Sequence, residues 1–186
     1  MPLNSDPWSW ANVIHNCTIT AGEDKQSKNV RCSTELLRLT RKARLEQDIA
    51  DNRISCYDGI QPRTLRDLCT GKNIEFGSLL KTLAKNECVL HLYHPLIGWK
   101  CAQKPSDFGK SVWSVLHESG CSIASYSKYS AFSRQTLSSI VNGTNDSLAH
   151  VMIYTVLTIS YELDIELDVK YTAARKQREL EFLEKM

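Results

Sequence analysis

The stretch Ser133–Asn145, with the sequence SRQTLSSIVNGTN, decides the fold, because the stretch Gln61–Asn73, QPRTLRDLCTGKN, repeats its pattern in diverged form. A shift of 72 positions (133 minus 61) superimposes a threonine–leucine pair, a glycine and an asparagine of the two stretches. The superimposed pairs are Thr64 and Thr136, Leu65 and Leu137, Gly71 and Gly143, and Asn73 and Asn145. Two copies of one pattern predict a fold that is built from a repeated unit.

Each copy predicts a short helix that follows a tight turn. Ser133 is a good N-cap, since its hydroxyl can accept a hydrogen bond from an unpaired amide of the first turn. Leu137, Ile140 and Val141 follow at helical spacing and leave a polar face outward. Gly143 closes the helix, because glycine readily adopts the left-handed conformation that helix ends commonly need.

The copy from Gln61 to Asn73 uses the same devices. Pro62 can occupy the first helical position without losing a hydrogen bond. Leu65 and Leu68 form its apolar stripe, and Gly71 closes it. We therefore expect two short helices with buried apolar stripes and polar outer faces.

The segments Ser127–Gly143 (SKYSAFSRQTLSSIVNG) and Ser55–Gly71 (SCYDGIQPRTLRDLCTG) resemble the helix-turn-helix of the phage repressor and Cro class of DNA-binding proteins. The pattern of that family is a small residue, a turn glycine or alanine, an apolar plug, a polar recognition helix and a closing glycine. The resemblance implies a mainly α fold with two tandem helix-turn-helix modules. Each module would have four to five helices and would be followed by a short strand or hairpin.

Composition and spacing suggest how the chain is divided. The 186 residues are 42% hydrophobic and 24% charged, which is typical of a soluble globular protein. A spacing of 72 positions (133 minus 61) suits two compact modules. The predicted parts are a partly flexible N-terminal segment (residues 1–30), a first module (31–103), a second module (106–171) and a C-terminal helix (172–186).

Several local elements follow from the pattern of apolar residues. The polar stretch Gly22–Asn29 looks like a linker, and the run from Ser33 to Asn52 predicts one capped helix. Ser106 is a candidate N-cap for the first helix of the second module. The apolar residues between Leu148 and Leu157 predict one further helix.

Two extended segments are predicted at the ends of the modules. VLHLY (Val89–Tyr93) and the following WKCAQ predict a β-hairpin, and the strictly alternating ELDIELDV (Glu162–Val169) predicts a strand. The shift of 72 positions (133 minus 61) maps Val89–Tyr93 onto Tyr161–Ile165. The two strands could pair within the chain or across two chains.

The polar faces of the two recognition helices contain the candidate DNA contacts. In a major groove, arginine can bridge guanine O6 and N7, and glutamine can bridge adenine N6 and N7. Arg134 and Gln135 are suited to that readout, and the small Ser138 and Ser139 allow close approach. The other candidates for the two copies are Ser133, Thr136, Asn142, Thr144, Asn145, Gln61, Arg63, Thr64, Arg66 and Lys72.

A basic run precedes the first copy. Between Lys28 and Arg44 there are six basic residues against the single acid Glu35, and the run includes Arg41 and Lys42. Such a run can contact phosphates. A solvated helix face explains it equally well.

Targeting and redox signals are absent from the sequence. The N-terminus lacks the basic start and apolar core of a secretory signal, and no eighteen apolar residues run together. We therefore expect a cytoplasmic protein with no membrane contact. The seven cysteines form no CxxC pair, which argues against a disulfide framework.

Enzymatic and metal-binding patterns are weak. Cys88, His91, His94 and Cys101 are close in sequence, but residues three apart on a strand point to opposite faces. We therefore predict no metal site and no cofactor. There is no phosphate-binding glycine loop and no nucleophile elbow, so we predict that the chain is not an enzyme.

The sequence therefore predicts a DNA-binding transcriptional regulator of the repressor type, which binds double-stranded DNA as a homodimer. The alternative is a protein-interaction module derived from a helix-turn-helix, such as an antitoxin-like protein or an inhibitor from a phage or other mobile element. Within the first hypothesis, the first copy is either a second reader of bases, a phosphate-gripping companion or a degenerate module used for dimerisation.

Overall fold

The computed structural model describes residues 22–52, 54 and 59–186, and there the chain is mainly α-helical, as predicted. The first half contains α1 (Lys25–Lys42), α2 (Leu45–Ala50), α3 (Pro62–Cys69), α4 (Phe76–Lys85), β1 (Cys88–His94) and β2 (Gly98–Ala102). The second half contains α5 (Pro105–Glu118), α6 (Ile123–Tyr126), α7 (Arg134–Val141), α8 (Asn145–Ala149), α9 (Ile153–Glu162), β3 (Glu166–Tyr171) and α10 (Ala173–Glu184). Residues 1–21 of the predicted N-terminal segment, and residues 55–58 of the segment Ser55–Gly71, lie outside the described residues.

The first described helix begins earlier than predicted. α1 starts at Lys25, so the prediction of a linker over Gly22–Asn29 is wrong, and residue 30 lies inside a helix. The carboxylate of Asp24 caps α1 by accepting a hydrogen bond from the N–H of Ser27 at 2.6 Å. The predicted single helix up to Asn52 is divided in two, because Arg44 has a left-handed backbone (φ 57°) between α1 and α2.

The helix starts and ends of the two copies follow local chemistry. Ser133 caps α7 as predicted and accepts a hydrogen bond from the N–H of Thr136 at 3.2 Å. Pro62 opens α3, and Gly71 follows α3 with the expected left-handed backbone (φ 70°). Gly143 does not have a positive φ, so its predicted left-handed conformation is wrong.

The helices of the second half also depart from prediction at two points. α5 begins with Pro105 after Lys104, not with Ser106 as cap, because the Asp107 carboxylate accepts from the N–H of Lys104 at 2.9 Å. The helix predicted between Leu148 and Leu157 is two helices, α8 and α9, which are separated by residues 150–152.

The three strands form one sheet in the order β2-β1-β3. The predicted hairpin is present as β1 and β2, which pair antiparallel. β3 begins at Glu166, later than predicted, because Glu162 is the last residue of α9 and Asp164 turns the chain with a φ of 54°. β3 pairs antiparallel with β1, so the two predicted strands meet within one chain.

The α4–β1 and α9–β3 segments are related by an approximate two-fold rotation. A shift of 77 positions (153 minus 76) superimposes α9 on α4. The same shift maps His91 onto Asp168, its own partner across β1 and β3. It also maps Glu75 onto Met152, its own partner in an isolated antiparallel bridge. A residue that pairs with its own equivalent lies on the rotation axis, so the axis passes through both pairs.

The hydrogen bonds of the Glu75–Met152 bridge obey this rotation. The N–H of Phe76 donates to the carbonyl of Val151, and the N–H of Ile153 donates to the carbonyl of Ile74, both at 2.7 Å. The predicted shift of 72 for the strands is thus wrong. The five extra positions (77 minus 72) lie between α7 and α9, where the five residues of α8 form.

Both halves share one hydrophobic core. Leu36, Leu68 and Phe76 of the first half and Phe108 and Leu137 of the second belong to the same buried cluster. The rings of Phe76 and Phe108 meet edge to face, with centroids 5.8 Å apart. Among the described residues, no helix has both the length and the apolar character that crossing a membrane requires.

Candidate nucleic-acid interface

α7 exposes the two side chains that were predicted to read bases. Leu137 and Ile140 anchor the helix in the core, with exposures of 1% and 2%. Arg134 and Gln135 lie on its first turn and are exposed. Within the described part of the chain, neither side chain has a hydrogen bond or ion pair. Their donors and acceptors are available to a ligand.

The other polar side chains of α7 are engaged in holding the helix. The Ser139 hydroxyl donates to the Gln135 carbonyl at 2.9 Å, and the Asn142 amide donates to the Ser138 carbonyl at 3.1 Å. The hydroxyl of Thr136 lies 3.0 Å from that of Ser133. These contacts fix the helix surface and leave Arg134 and Gln135 as its unengaged groups.

The residues after α7 likewise support the backbone. Thr144 caps α8 by accepting from the N–H of Ser147 at 3.2 Å. The side-chain oxygen of Asn145 accepts from the N–H of Ser106 at 3.2 Å, which ties α8 to the start of α5. Thr144 and Asn145 are exposed, so they retain groups that can meet a phosphate.

A buried carboxylate positions the turn that leads into α7. Glu162 has no solvent exposure, and its carboxylate accepts hydrogen bonds from the Tyr126 hydroxyl, the Ser130 hydroxyl at 2.7 Å and the Ala131 N–H at 2.8 Å. Burial raises the pKa of the Glu162 carboxyl, and these hydrogen bonds only partly offset the rise. The end of α9 therefore fixes the connection between α6 and α7.

Two glycines let α7 approach its neighbours. A Cβ on Gly109 of α5 would collide with the carbonyl oxygen of Ile140 in α7. A Cβ on Gly143 would lie 2.6 Å from the carbonyl oxygen of Ser139 and from the side chain of Leu148. Close packing, not a left-handed backbone, explains the glycine at 143.

α3 is the counterpart of α7 in the first half. Leu68 is fully buried, while Gln61, Arg63 and Arg66 are exposed. Asp67 lies between two cations, with its carboxylate 3.8 Å from Arg63 Nε and 3.4 Å from Lys72 Nζ. The acid partly neutralises α3, so Arg66 is the cation of this helix without an acidic partner in the described residues. Thr64 is half-buried.

Both helices end beside the Glu75–Met152 bridge. The Tyr154 hydroxyl donates to the carbonyl of Gly71, just after α3, at 2.6 Å. A groove between the end of α7 and the start of α9 is lined by Asn142, Met152 and Thr155. α3 and α7 therefore flank the same end of the two-fold axis.

The basic run of α1 is largely neutralised. Arg31, Arg38, Lys42 and Arg44 form ion pairs with Glu23, Glu35, Asp168 and Glu179, in that order. Asp168 lies on the axis within the sheet, and α4 and α9 connect the sheet to the bridge over about 15 Å. The structure thus places Lys42 at the opposite end from α3 and α7. Arg41 is exposed, and no described acid pairs with it.

The cysteines and histidines of the hairpin lie on both faces of the sheet. Cys88 and His94 are buried, whereas the Sγ of the exposed Cys101 lies 3.7 Å from Nδ1 of His91. The described residues contain no group of three or more side chains that could hold a metal ion.

Local sequence patterns predict the exposed helices, but they do not predict contacts between residues that are far apart in the sequence. The partners of Glu162 and Lys42 are more than 30 positions away, so no spacing rule could identify them. The site consists of two short helices with unengaged polar groups beside one end of an axis. No family model, no curated protein and no solved structure matches this chain.

Proposed function

We propose that the chain is a transcriptional regulator that binds double-stranded DNA sequence-specifically. In this proposal α2–α3 and α6–α7 are its two tandem helix-turn-helix units. The observation that carries the proposal is α7, a capped helix with a buried apolar stripe and the exposed, unengaged side chains Arg134 and Gln135.

These groups match what a major groove offers. A recognition helix places the side chains of its first turns against base edges, where arginine binds guanine and glutamine binds adenine in bidentate fashion. Arg134 and Gln135 lie on the first turn of α7. Ser133, Thr136, Thr144 and Asn145 are at or near helix N-termini, where hydroxyl and amide groups can bind phosphates.

α3 supplies the second contact. Arg66 and Arg63 can reach bases or phosphates, and Lys72 extends the cationic surface just beyond the helix. Asp67 forms ion pairs with Arg63 and Lys72 and so partly neutralises them. In this proposal α3 therefore contributes less to base recognition than α7.

The experiment is a selection from random-sequence duplexes, followed by binding titrations of the enriched sequence at two salt concentrations. We expect an enriched motif and weaker binding at higher salt. Replacing Arg134 and Gln135 by alanine should remove the preference for the part of the motif that α7 reads.

The matched control replaces Lys176 and Gln177 of α10, which are also an exposed cation and an exposed amide. This double alanine variant should retain the full motif. If the unmodified chain enriches no sequence, and its DNA binding does not respond to salt, the DNA-binding proposal is wrong.

A protein-interaction role is the second candidate, because the end of α10 exposes apolar side chains. Leu180, Phe182 and Leu183 are 56–65% exposed, and Met186 is 87% exposed. If capture of a protein partner is the function, replacing Leu180 and Leu183 by glutamate should abolish it. The Arg134 and Gln135 alanine variant should then leave that capture intact.

A further inference from the structure

The two-fold axis determines how α3 and α7 stand relative to each other. A two-fold rotation leaves the position of a helix along the axis unchanged. It reverses the component of the helix direction that is perpendicular to the axis. α3 and α7 both end beside the Glu75–Met152 bridge, and the axis passes through that bridge. The two helices therefore lie at the same end of the axis. α1 packs against α3 and α9, and α5 packs in the same way against α7 and α4. We therefore extend the rotation to α3 and α7, which makes the two helices antiparallel across the axis.

The outward faces of the two helices differ. Where α7 presents Arg134 and Gln135, α3 presents Pro62 and Arg63 at the aligned positions. Ser138 and Ser139 are replaced by Arg66 and Asp67. The buried positions are alike, since Leu65 and Leu137 align, as do Leu68 and Ile140. One scaffold therefore presents two different polar surfaces.

The contacts between the halves are already made inside one chain. β1 pairs with β3 over six residue pairs, from Cys88 with Tyr171 to Tyr93 with Glu166. The bridge adds two hydrogen bonds of 2.7 Å. A second copy of the chain is not needed to bring two recognition helices together.

From this arrangement, and on the basis of the proposed function, we infer that the chain is a covalent pseudo-dimer that binds its DNA site as a single molecule. Its site consists of two unlike half-sites in inverted orientation, one read by α7 and the other by α3. This replaces the homodimer that the sequence predicted. The test must therefore measure separately the orientation of the half-sites and the number of chains bound per duplex.

The relative orientation of the two half-sites can be determined when α3 and α7 carry the same outward residues. The substitutions Gln61→Ser, Pro62→Arg, Arg63→Gln, Arg66→Ser and Asp67→Ser give α3 the outward face of α7 and leave Leu65 and Leu68 in place. All five positions are exposed or half-buried. A selection from random duplexes with this variant should enrich a palindrome that contains the α7 element twice in inverted orientation.

The reciprocal variant gives α7 the outward face of α3, through Ser133→Gln, Arg134→Pro, Gln135→Arg, Ser138→Arg and Ser139→Asp. It should enrich a different palindrome, built from the α3 element. Circular dichroism shows whether each variant is folded, and either folded variant is sufficient for the test. The mass of the complex, from sedimentation or native mass spectrometry, should correspond to one chain per duplex.

Several results would overturn the inference. A direct repeat from either folded variant would contradict the two-fold relation of α3 and α7. A single element would show that only one helix reads bases, and two chains per duplex would restore the homodimer. In these cases the unmodified chain still enriches a motif, and the proposed function stands. If the unmodified chain enriches nothing, the proposed function and the inference both fail.

Discussion

At the scale of single residues, Glu162 connects the core to the candidate DNA surface. Its carboxylate binds Tyr126, Ser130 and the Ala131 N–H, which form the connection into α7. Buried acceptors of this kind are costly to replace, because each donor that is left unpaired inside the protein loses its hydration without compensation. Glu162 therefore supports the candidate DNA surface without being part of it.

Glu162→Gln should lower the free energy of unfolding at pH 7 by about 2 kcal/mol, because its amide N–H₂ meets groups that donate. Denaturant unfolding of the variant and the unmodified protein measures the difference. Ser160→Ala, at another buried position of α9, is the control and should have a smaller effect. Equal stability of Glu162→Gln and the unmodified protein would contradict the role of this carboxylate.

The same pair of proteins has a predictable pH dependence. Burial raises the pKa of the Glu162 carboxyl in the folded state above its ordinary value of 4.5, so folding takes up a proton between these two pKa values. The resulting stabilisation is full below 4.5 and is lost as the pH rises through the folded pKa. The stability difference between the unmodified protein and Glu162→Gln should widen as the pH falls through this window. A stability difference that becomes smaller as the pH falls would contradict the raised pKa of Glu162.

At the scale of elements, the position of α7 depends on its close contact with α5. A Cβ at Gly109 would collide with the carbonyl oxygen of Ile140, a backbone atom that cannot rotate away. The two helices can keep their spacing only if residue 109 has no side chain. Their packing in turn sets the direction in which Arg134 and Gln135 extend.

Gly109→Ala should therefore destabilise the protein by about 3 kcal/mol, because α5 and α7 must move apart. Thermal and denaturant unfolding measure this effect. Lys110→Ala, at the adjacent exposed position, should change stability by less than about 0.5 kcal/mol. If Gly109→Ala had the stability of this control, the contact between α5 and α7 would not be as tight as described.

The elements also show how far the sequence predicts the structure. α7, α3 and the hairpin were predictable because a cap, an apolar stripe and a closing turn act within about ten residues. The pairing of β1 with β3 was not, because nothing in a local pattern selects between strands almost 80 positions apart. The start of α1 at Lys25 was missed because a polar sequence without an apolar stripe resembles a linker. Of the candidate DNA contacts, the exposure of Arg134 and Gln135 was predictable, whereas the pairing of Lys42 with Asp168, away from α3 and α7, was not.

At the scale of the whole molecule, the distribution of charge limits how strongly salt should affect binding. The net charge is only +2, and most of the basic run of α1 is paired with acids. Among the described residues, α3, α7 and the residues directly after them contain the cations Arg63, Arg66, Lys72 and Arg134. Under the proposed function, uncharged groups must therefore supply much of the contact with DNA.

The logarithm of the DNA-binding constant should fall with the logarithm of salt concentration with a slope of about −4, since each neutralised phosphate contributes about −0.9. Titrations of the selected duplex at several salt concentrations measure this slope. Lys72→Ala should reduce its magnitude by about 1, and Lys176→Ala should leave it unchanged. A slope near −8 would mean that the basic run of α1 also meets the DNA.

The short connection from β2 to α5 joins the two halves of the molecule covalently. In an assembly of identical subunits, every mutation occurs in both members of the pair, so neither recognition surface can change alone. In this chain, a substitution in α3 changes the outward face of α3 and leaves that of α7 intact, and the converse also holds. The strand pairing and the shared core can stay constant while the two surfaces acquire separate targets. The linkage also removes the dependence on protein concentration, so the pair of surfaces is complete as soon as one chain has folded.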